Sequence, residues 1–233
     1  MFAQATLRGN SMMKIVVLAA GLALLFGASA IAQAPSADAA AAVADKDRPS
    51  GDTARDADRK PAEMLAFAGI KPGDVAVDLI PGGGYFTRLF ANAVGPAGHV
   101  YVLIPTEIDD TMAKLNPSLP KDNSVDPKWP NVTLLHRPIH TLTLPQKADL
   151  IWISQNYHDL HDKFMGPVDT AQFNASVYNA LKPGGAFIVL DHAAPGTGLS
   201  ATETLHRIDP VVVKREVEAA GFKFVGEDDG LAN

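Results

Sequence analysis

The 233-residue chain contains no cysteine. That excludes disulfides, cysteine-ligated zinc, iron–sulfur clusters, thiol nucleophiles and lipid attachment through an N-terminal cysteine. Basic residues are in the minority, with 20 Lys and Arg against 26 Asp and Glu, a net charge of −6. Such a surface offers no electrostatic footprint for a polyanion, so a nucleic-acid partner is not expected. Neither a G-K-[ST] phosphate loop nor a G-x-S-x-G elbow occurs anywhere, which removes the phosphoryl transfer and serine hydrolysis that those motifs serve. Aromatic residues are few, at 7%. What remains is a chain that is 47% hydrophobic, enough for one well-buried domain and too apolar for disorder.

One uninterrupted apolar run, Ile15 to Phe26, follows Arg8 and Lys14 and leads into Gly27-Ala28-Ser29-Ala30-Ile31-Ala32. A positive start, a short apolar stretch and an A-x-A site are the parts of a secretory signal peptide. Residues 1–32 are therefore expected to be a cleaved leader, with Met12-Met13 a second candidate start, and the protein to be secreted or periplasmic. No stable membrane insertion is expected after cleavage, because the run is short for a spanning helix. Residues 33–55, rich in Ala, Asp, Pro and Ser without an apolar period, are expected to be a flexible linker. The folded domain is then 56–233.

Within it, Asp58 can cap a helix carrying Pro61, Glu63, Met64, Leu65 and Phe67, ended by Gly69. Val75 to Ile80 is apolar almost throughout and predicts a strand buried on both faces. Pro81-Gly82-Gly83-Gly84 turns the chain into a second helix, with Phe86, Leu89, Phe90 and Ala93 at helical spacing. Strands are expected at His99–Ile104, Val132–Leu135, Asp149–Ile153, Ala186–Leu190 and Phe222–Val225, and helices at 169–181 and 211–220. The five prolines between 105 and 130 mark an elaborated connection around a short helix near Glu107–Leu115. Buried strands alternating with helices give an α/β, doubly wound, mostly parallel sheet.

In such a sheet small-molecule ligands bind beyond the carboxyl ends of the strands. Asp78 and the glycine turn sit at one such end, where glycines let a ligand approach the backbone and a helix start offers free N–H groups. The match to a dinucleotide fingerprint is partial: Gly82 and Gly84 fit G-x-G, but Thr87 stands at the third glycine. Of the histidines, His140, His158, His161 and His192 fall at or after strand ends, with His206 beyond the fifth. Together with Asn156, Asp159, Asp191 and Asp209 they could line one cleft. His158 and His206 are candidate general bases, since imidazole titrates near neutral pH. His158, His161, Asp191 and His192 also have metal-ligand chemistry, but H-D-L-H-D is not H-E-x-x-H, and no metal ligand is assigned.

The segment Val77-Asp78-Leu79-Ile80-Pro81-Gly82-Gly83-Gly84-Tyr85-Phe86-Thr87 resembles motif I, D-x-G-x-G-x-G, of class I S-adenosylmethionine-dependent methyltransferases. Lys71-Pro72-Gly73-Asp74 and Leu181-Lys182-Pro183-Gly184-Gly185 are similar to that family's lead-in and late motif. The resemblance covers about residues 56–227 and looks closest to an exported bacterial subgroup with R-D-x-x-R-K-P (Arg55-Asp56, Arg59-Lys60-Pro61), N-Y-H-D (Asn156–Asp159) and L-H-R-I-D (Leu205–Asp209). It implies a Rossmann-like methyltransferase fold and S-adenosylmethionine as cofactor. It implies cofactor binding by Asp78, Pro81, Gly82, Gly83, Gly84, Tyr85 and Asn156, with His158, Asp159 and His206 as catalytic candidates. Three positions depart from the family. Ile80 replaces the first motif glycine, Ile104 the ribose-binding acid (Glu107 follows three residues on), and Ile139-His140 the acid near the adenine.

An apolar residue at the ribose position forfeits charge-assisted hydrogen bonds worth roughly 1.5–3 kcal/mol, so weakened or altered cofactor binding is one expectation. Three readings stay open on this sequence. They are an exported methyltransferase of unknown acceptor, a non-catalytic or altered-ligand binding protein on the same fold, and a metal-dependent hydrolase. The chain stops soon after the sixth strand, without the antiparallel seventh strand that the family usually has. The end, 222–233, is therefore expected to be loosely held, paired directly with the fifth strand, or completed by another chain through an open sheet edge.

Overall fold

A computed structural model describes residues 13–19, 37–108, 129–166, 168–228 and 230–231. The strands are β1 (Met13–Ala19), β2 (Val75–Leu79), β3 (His99–Pro105), β4 (Val132–Arg137), β5 (Ala148–Ser154), β6 (Leu181–His192) and β7 (Lys223–Asp228). They form one sheet in the order β4-β3-β2-β5-β6-β1-β7. The pairs β2–β3, β3–β4, β2–β5 and β5–β6 are parallel. Every residue of β2 is buried, as its continuous apolar character requires in a sheet covered on both sides.

Side chains of a strand alternate between faces, and the two faces carry two cores. Val77, Leu79, Ile151, Ile153, Phe187 and Val189 pack with Phe173, Val177, Val213 and Val217. These last come from α6 (Thr170–Ala180) and α8 (Pro210–Ala219), with the short α7 (Thr202–Leu205) between them in the chain. Ala76, Leu150, Trp152, Ile188 and Leu190 pack on the other side with Met64, Leu65, Leu89 and Phe90, from α4 (Pro61–Ala68) and α5 (Tyr85–Val94). Phe90 and Trp152 are fully buried with ring centroids 5.6 Å apart. Truncating Phe90 to alanine there costs about 3–5 kcal/mol.

The structure corrects four expectations. Residues 33–55 are not a linker throughout: α1 (Ala37–Val43) and α2 (Ser50–Thr53) fold onto the domain, burying Ala39, Ala42, Arg48 and Asp52. Asp58 does not cap a helix start; it lies inside α3 (Asp56–Arg59), and α4 begins after Lys60, which takes a left-handed φ of 43°. The strand expected at Ala186–Leu190 is longer, with β6 running from Leu181 to His192 and taking in the Lys182–Gly185 segment.

The fourth correction concerns the sheet edge. β7 neither hangs free nor pairs directly with β6, because β1 lies antiparallel between them, with Met13 opposite His192 and Ile15 opposite Asp228. Residues 13–19, at the start of the segment expected to be a leader, thus occupy the antiparallel position. Of the helix expected near Glu107–Leu115, residues 109–115 lie outside the described residues, while Thr106–Ile108 are helical.

Candidate functional site

Beyond the carboxyl ends of β2, β5 and β6 lie two polar clusters. The first surrounds the turn after β2. There the backbone takes left-handed φ values at Ile80 (55°), Gly82 (56°) and Gly84 (74°). For glycine that conformation is free, but for a β-branched residue it is an outlier held by its surroundings. The Ile80 N–H still donates to the Leu103 carbonyl, and the Gly84 N–H donates to Pro81. A Cβ added at Gly82 or Gly83 would meet no atom within 4 Å, so space lies open over this turn. At the neighbouring strand end Gln155 also has a positive φ, 62°.

Ion pairs fasten the N-terminal segment over the start of α5. Arg48 holds Asp56 through two hydrogen bonds of 2.8 and 2.6 Å, and Arg88 holds buried Asp52 at 2.6 and 2.9 Å while donating to the Gly83 carbonyl. The Tyr85 hydroxyl donates to Asp56 at 2.7 Å. Burial would raise the Asp56 carboxyl, but Arg48 and Tyr85 hold it below its usual range. Burial and the adjacent Asp56 raise the Tyr85 hydroxyl in turn. Arg59 differs. Its guanidinium lies 4.8 Å from the Tyr85 ring and donates to the Gln155 side chain, and burial lowers its pKa. Asp78 is buried and accepts from Thr87 Oγ1 at 2.6 Å, which ties the end of β2 to α5. Burial pushes its carboxyl up to about 7.

The second cluster gathers residues that follow β5 and β6. His158 is buried between two carboxylates, with Nδ1 on Asp191 Oδ1 at 2.8 Å and Nε2 on Asp159 Oδ1 at 3.1 Å. Burial opposes its charge, but these hydrogen bonds outweigh burial and raise it to about 10. His158 is therefore protonated near neutral pH and unsuited to be the general base its residue type suggested. Asn156 donates to the other oxygen of Asp159 at 2.8 Å. His206, exposed and left-handed with φ 50°, brings Nδ1 to 4.0 Å from Asp159 and 3.8 Å from Asp162.

Polar contacts connect the two clusters. Arg59 reaches Gln155, Gln155 Nε2 lies 3.2 Å from His192 Nε2, and the His192 N–H donates to Asp191, the partner of His158. The structure thus brings Asp78, Pro81, Gly82, Gly83, Gly84 and Tyr85 together at the first cluster. Asn156, His158, Asp159 and His206 meet at the second. Other candidates are used elsewhere. His161 pairs with Glu216 at 3.1 Å, His140 faces Glu107 at 3.7 Å, and Asp209 caps α8 while accepting from Gly196 and Gly198. The combination of His158, His161, Asp191 and His192 around one ion therefore does not form. Sequence reasoning missed Arg59, Gln155 and Asp162 as site residues. The acidic end of H-D-L-H-D was the one available pointer to Asp162.

No protein-family model matches the chain. Over 138 residues it is 30% identical to the ubiquinone/menaquinone biosynthesis C-methyltransferase UbiE of Ectopseudomonas mendocina, covering 59% of this chain and 49% of that protein. Against the protein of the same name from Psychromonas ingrahamii it is 33% identical over 129 residues, 55% and 46% of the two chains. The chain spans about half the length of the curated relatives it matches. Among solved structures it is similar to an S-adenosylmethionine-dependent methyltransferase from Aquifex aeolicus, with a TM-score of 0.52, 19% identity, and coverage of 76% of this chain and 89% of that one. The arsenic(III) S-adenosylmethionine methyltransferase of Chlamydomonas reinhardtii gives a TM-score of 0.50 and 21% identity, over 81% and 62% of the two chains. The fold is the Rossmann-like methyltransferase fold. The turn after β2 is the segment that resembles motif I, and Ile80 takes a left-handed φ there.

Proposed function

We propose that the chain is an S-adenosylmethionine-dependent methyltransferase whose cofactor lies over the Pro81–Gly84 turn and whose acceptor enters beside Asp159 and His206. The observation that carries this reading is the backbone of D-x-G-x-G-x-G. All three glycine positions keep a left-handed φ, including the one occupied by isoleucine, and the space above Gly82 and Gly83 is open. A strained residue retained at a ligand-facing turn supports a binding role.

The other groups suit the same cofactor. The N–H groups at the start of α5 face the turn. Arg59, with no carboxylate at ion-pair distance among the described residues, offers its guanidinium to the cofactor's carboxylate. Bound there, S-adenosylmethionine supplies an electrophilic methyl group for in-line transfer to an oxygen, nitrogen or carbon nucleophile. The chain contributes positioning and a proton acceptor. Protonated His158 holds Asp159 in place, and Asp159 and His206 are the groups left to take the proton. Titration of the purified chain with S-adenosylmethionine and S-adenosylhomocysteine in a calorimeter should give saturable one-to-one binding. No heat from either at millimolar concentration sinks the reading.

A second reading, a non-catalytic or altered-ligand binding protein, rests on Ile104 and Glu107. Ile104 has no acid to offer a ribose, and Glu107 accepts the Ile139 N–H at 3.1 Å. Replacing Ile104 by Asp separates the two. A large gain in affinity favours a drifted pocket, whereas tight binding by the native chain removes the second reading.

Export belongs to the same proposal: residues 1–32 direct the chain to the periplasm or medium and are cleaved after Ala32. Cleavage removes β1, so the leader and the antiparallel strand are alternative fates of one segment. The open edges of β6 and β7 then offer a route to oligomers. The intact mass of exported protein decides, and a mass that retains residues 13–19 overturns export with cleavage at this site.

A further inference from the structure

We propose that His158, Asp159, Asp162 and His206 form a binding site for a divalent transition-metal cation of the zinc class. One ligand atom from each of the four lies within 4.8 Å of the others. The individual separations are close to what a metal needs. His158 Nε2 is 3.1 Å from Asp159 Oδ1, and His206 Nδ1 is 3.8 Å from Asp162 Oδ2 and 4.0 Å from Asp159 Oδ1. Four bonds of about 2.0–2.1 Å arranged tetrahedrally have edges of roughly 3.4 Å. A small inward swing of the exposed His206 closes the gap.

Asp162 supplies the independent observation. It is 2% exposed, and neither carboxylate oxygen accepts a hydrogen bond. A buried carboxylate without hydrogen-bond donors is costly unless a cation sits against it. The surrounding groups are already turned for ligation. Asp191 takes the Nδ1 side of His158, as carboxylates do for metal-binding histidines, so a cation has only to displace the Nε2 proton that otherwise reaches Asp159. Asn156 occupies Asp159 Oδ2, leaving Oδ1 directed inward. Two imidazoles with two carboxylates suit zinc, cobalt, manganese or iron(II) better than calcium or magnesium, which prefer oxygen alone. The ion would tie the 158–162 turn after β5 to the segment after β6 and, while bound, would withhold Asp159 and His206 as proton acceptors.

The test uses untagged chain stripped of metal by chelator and dialysis, titrated with zinc chloride and separately with manganese chloride. Expected is one equivalent bound per chain, with the melting temperature rising on metal addition. Asp162→Asn and His206→Asn should each weaken binding at least about tenfold, as loss of a ligand or its orienting partner does. Asp162→Asn removes the unpaired buried charge, so the metal-free variant should melt at or above the temperature of the metal-free parent. The exposed His206→Asn should leave it unchanged. Absence of saturable uptake of either metal at millimolar concentration overturns the proposal. So does uptake that both variants leave unaltered, or a metal-free Asp162→Asn that melts far below the parent while binding metal normally. None of these readouts involves S-adenosylmethionine, so this proposal and the methyltransferase reading fail separately.

Discussion

The two clusters beyond the strand ends treat their charges in opposite ways. Around the glycine turn, Arg48 meets Asp56 and Arg88 meets Asp52 in two-pronged pairs, and the buried cost of each charge is offset by its partner. Around His158 the carboxylates outnumber the cations, and Asp162 accepts no hydrogen bond at all. Evenly paired charges hold a scaffold in one geometry, whereas an unbalanced buried set is a place for a ligand to complete. The paired arginines fasten the N-terminal segment over the turn, whereas Arg59 beside them and Asp162 in the other cluster are the charges left for ligands.

The largest effect expected from testing that contrast is at Asp52. Asp52→Ala leaves Arg88 buried and unpaired, and should lower stability by about 3–5 kcal/mol, read from urea denaturation. Removing the Asp162 charge should not destabilise the metal-free chain. Equal losses at both sites would erase the distinction. Next is Gly82→Val, which places a β-branched side chain at a left-handed position under the open space. It should weaken S-adenosylhomocysteine binding about 100-fold, or roughly 2.7 kcal/mol, with the circular dichroism spectrum retained.

A pH effect of about 2 kcal/mol is expected from Asp78. Its folded-state pKa is raised by burial to about 7. The stability it contributes is therefore complete below the unfolded carboxylate range and is lost as pH rises through 7. Asp78→Asn lacks this loss. The stability of the variant relative to the parent should thus be greater at pH 8 than at pH 5, and a difference independent of pH would contradict the burial argument. The smallest effect is at Lys163 and Glu203, an exposed pair at 3.0 Å. Glu203→Ala should change stability by less than about 0.5 kcal/mol.

The parallel sheet was legible because β2, β3, β5 and β6 are apolar enough to announce burial on both faces, and the glycines announce the turn between β2 and α5. Residues 37–55 were misread for a physical reason. An alanine-rich helix has no contrast between faces, and the partners that bury Arg48 and Asp52 arrive from positions up to 36 residues away. The apolar run at 13–19 is equally consistent with a leader's core and with a buried strand, so composition alone cannot choose. The grouping of Asp78 to Tyr85 could be read from the sequence, since the whole turn is contiguous. Of the cluster at His158 the sequence pointed to Asn156, His158, Asp159 and His206 but not to Asp162, which meets His206 only when the segments after β5 and β6 fold together.

The central claim is that the turn from Ile80 to Arg88 is a cofactor site. Amide hydrogen exchange of the purified chain, with and without saturating S-adenosylhomocysteine, tests it most directly. Slowed exchange is expected at residues 82–88 and at Gln155, with little change in β4 or β7. Binding that leaves 82–88 unprotected, or that protects a different surface instead, would contradict it.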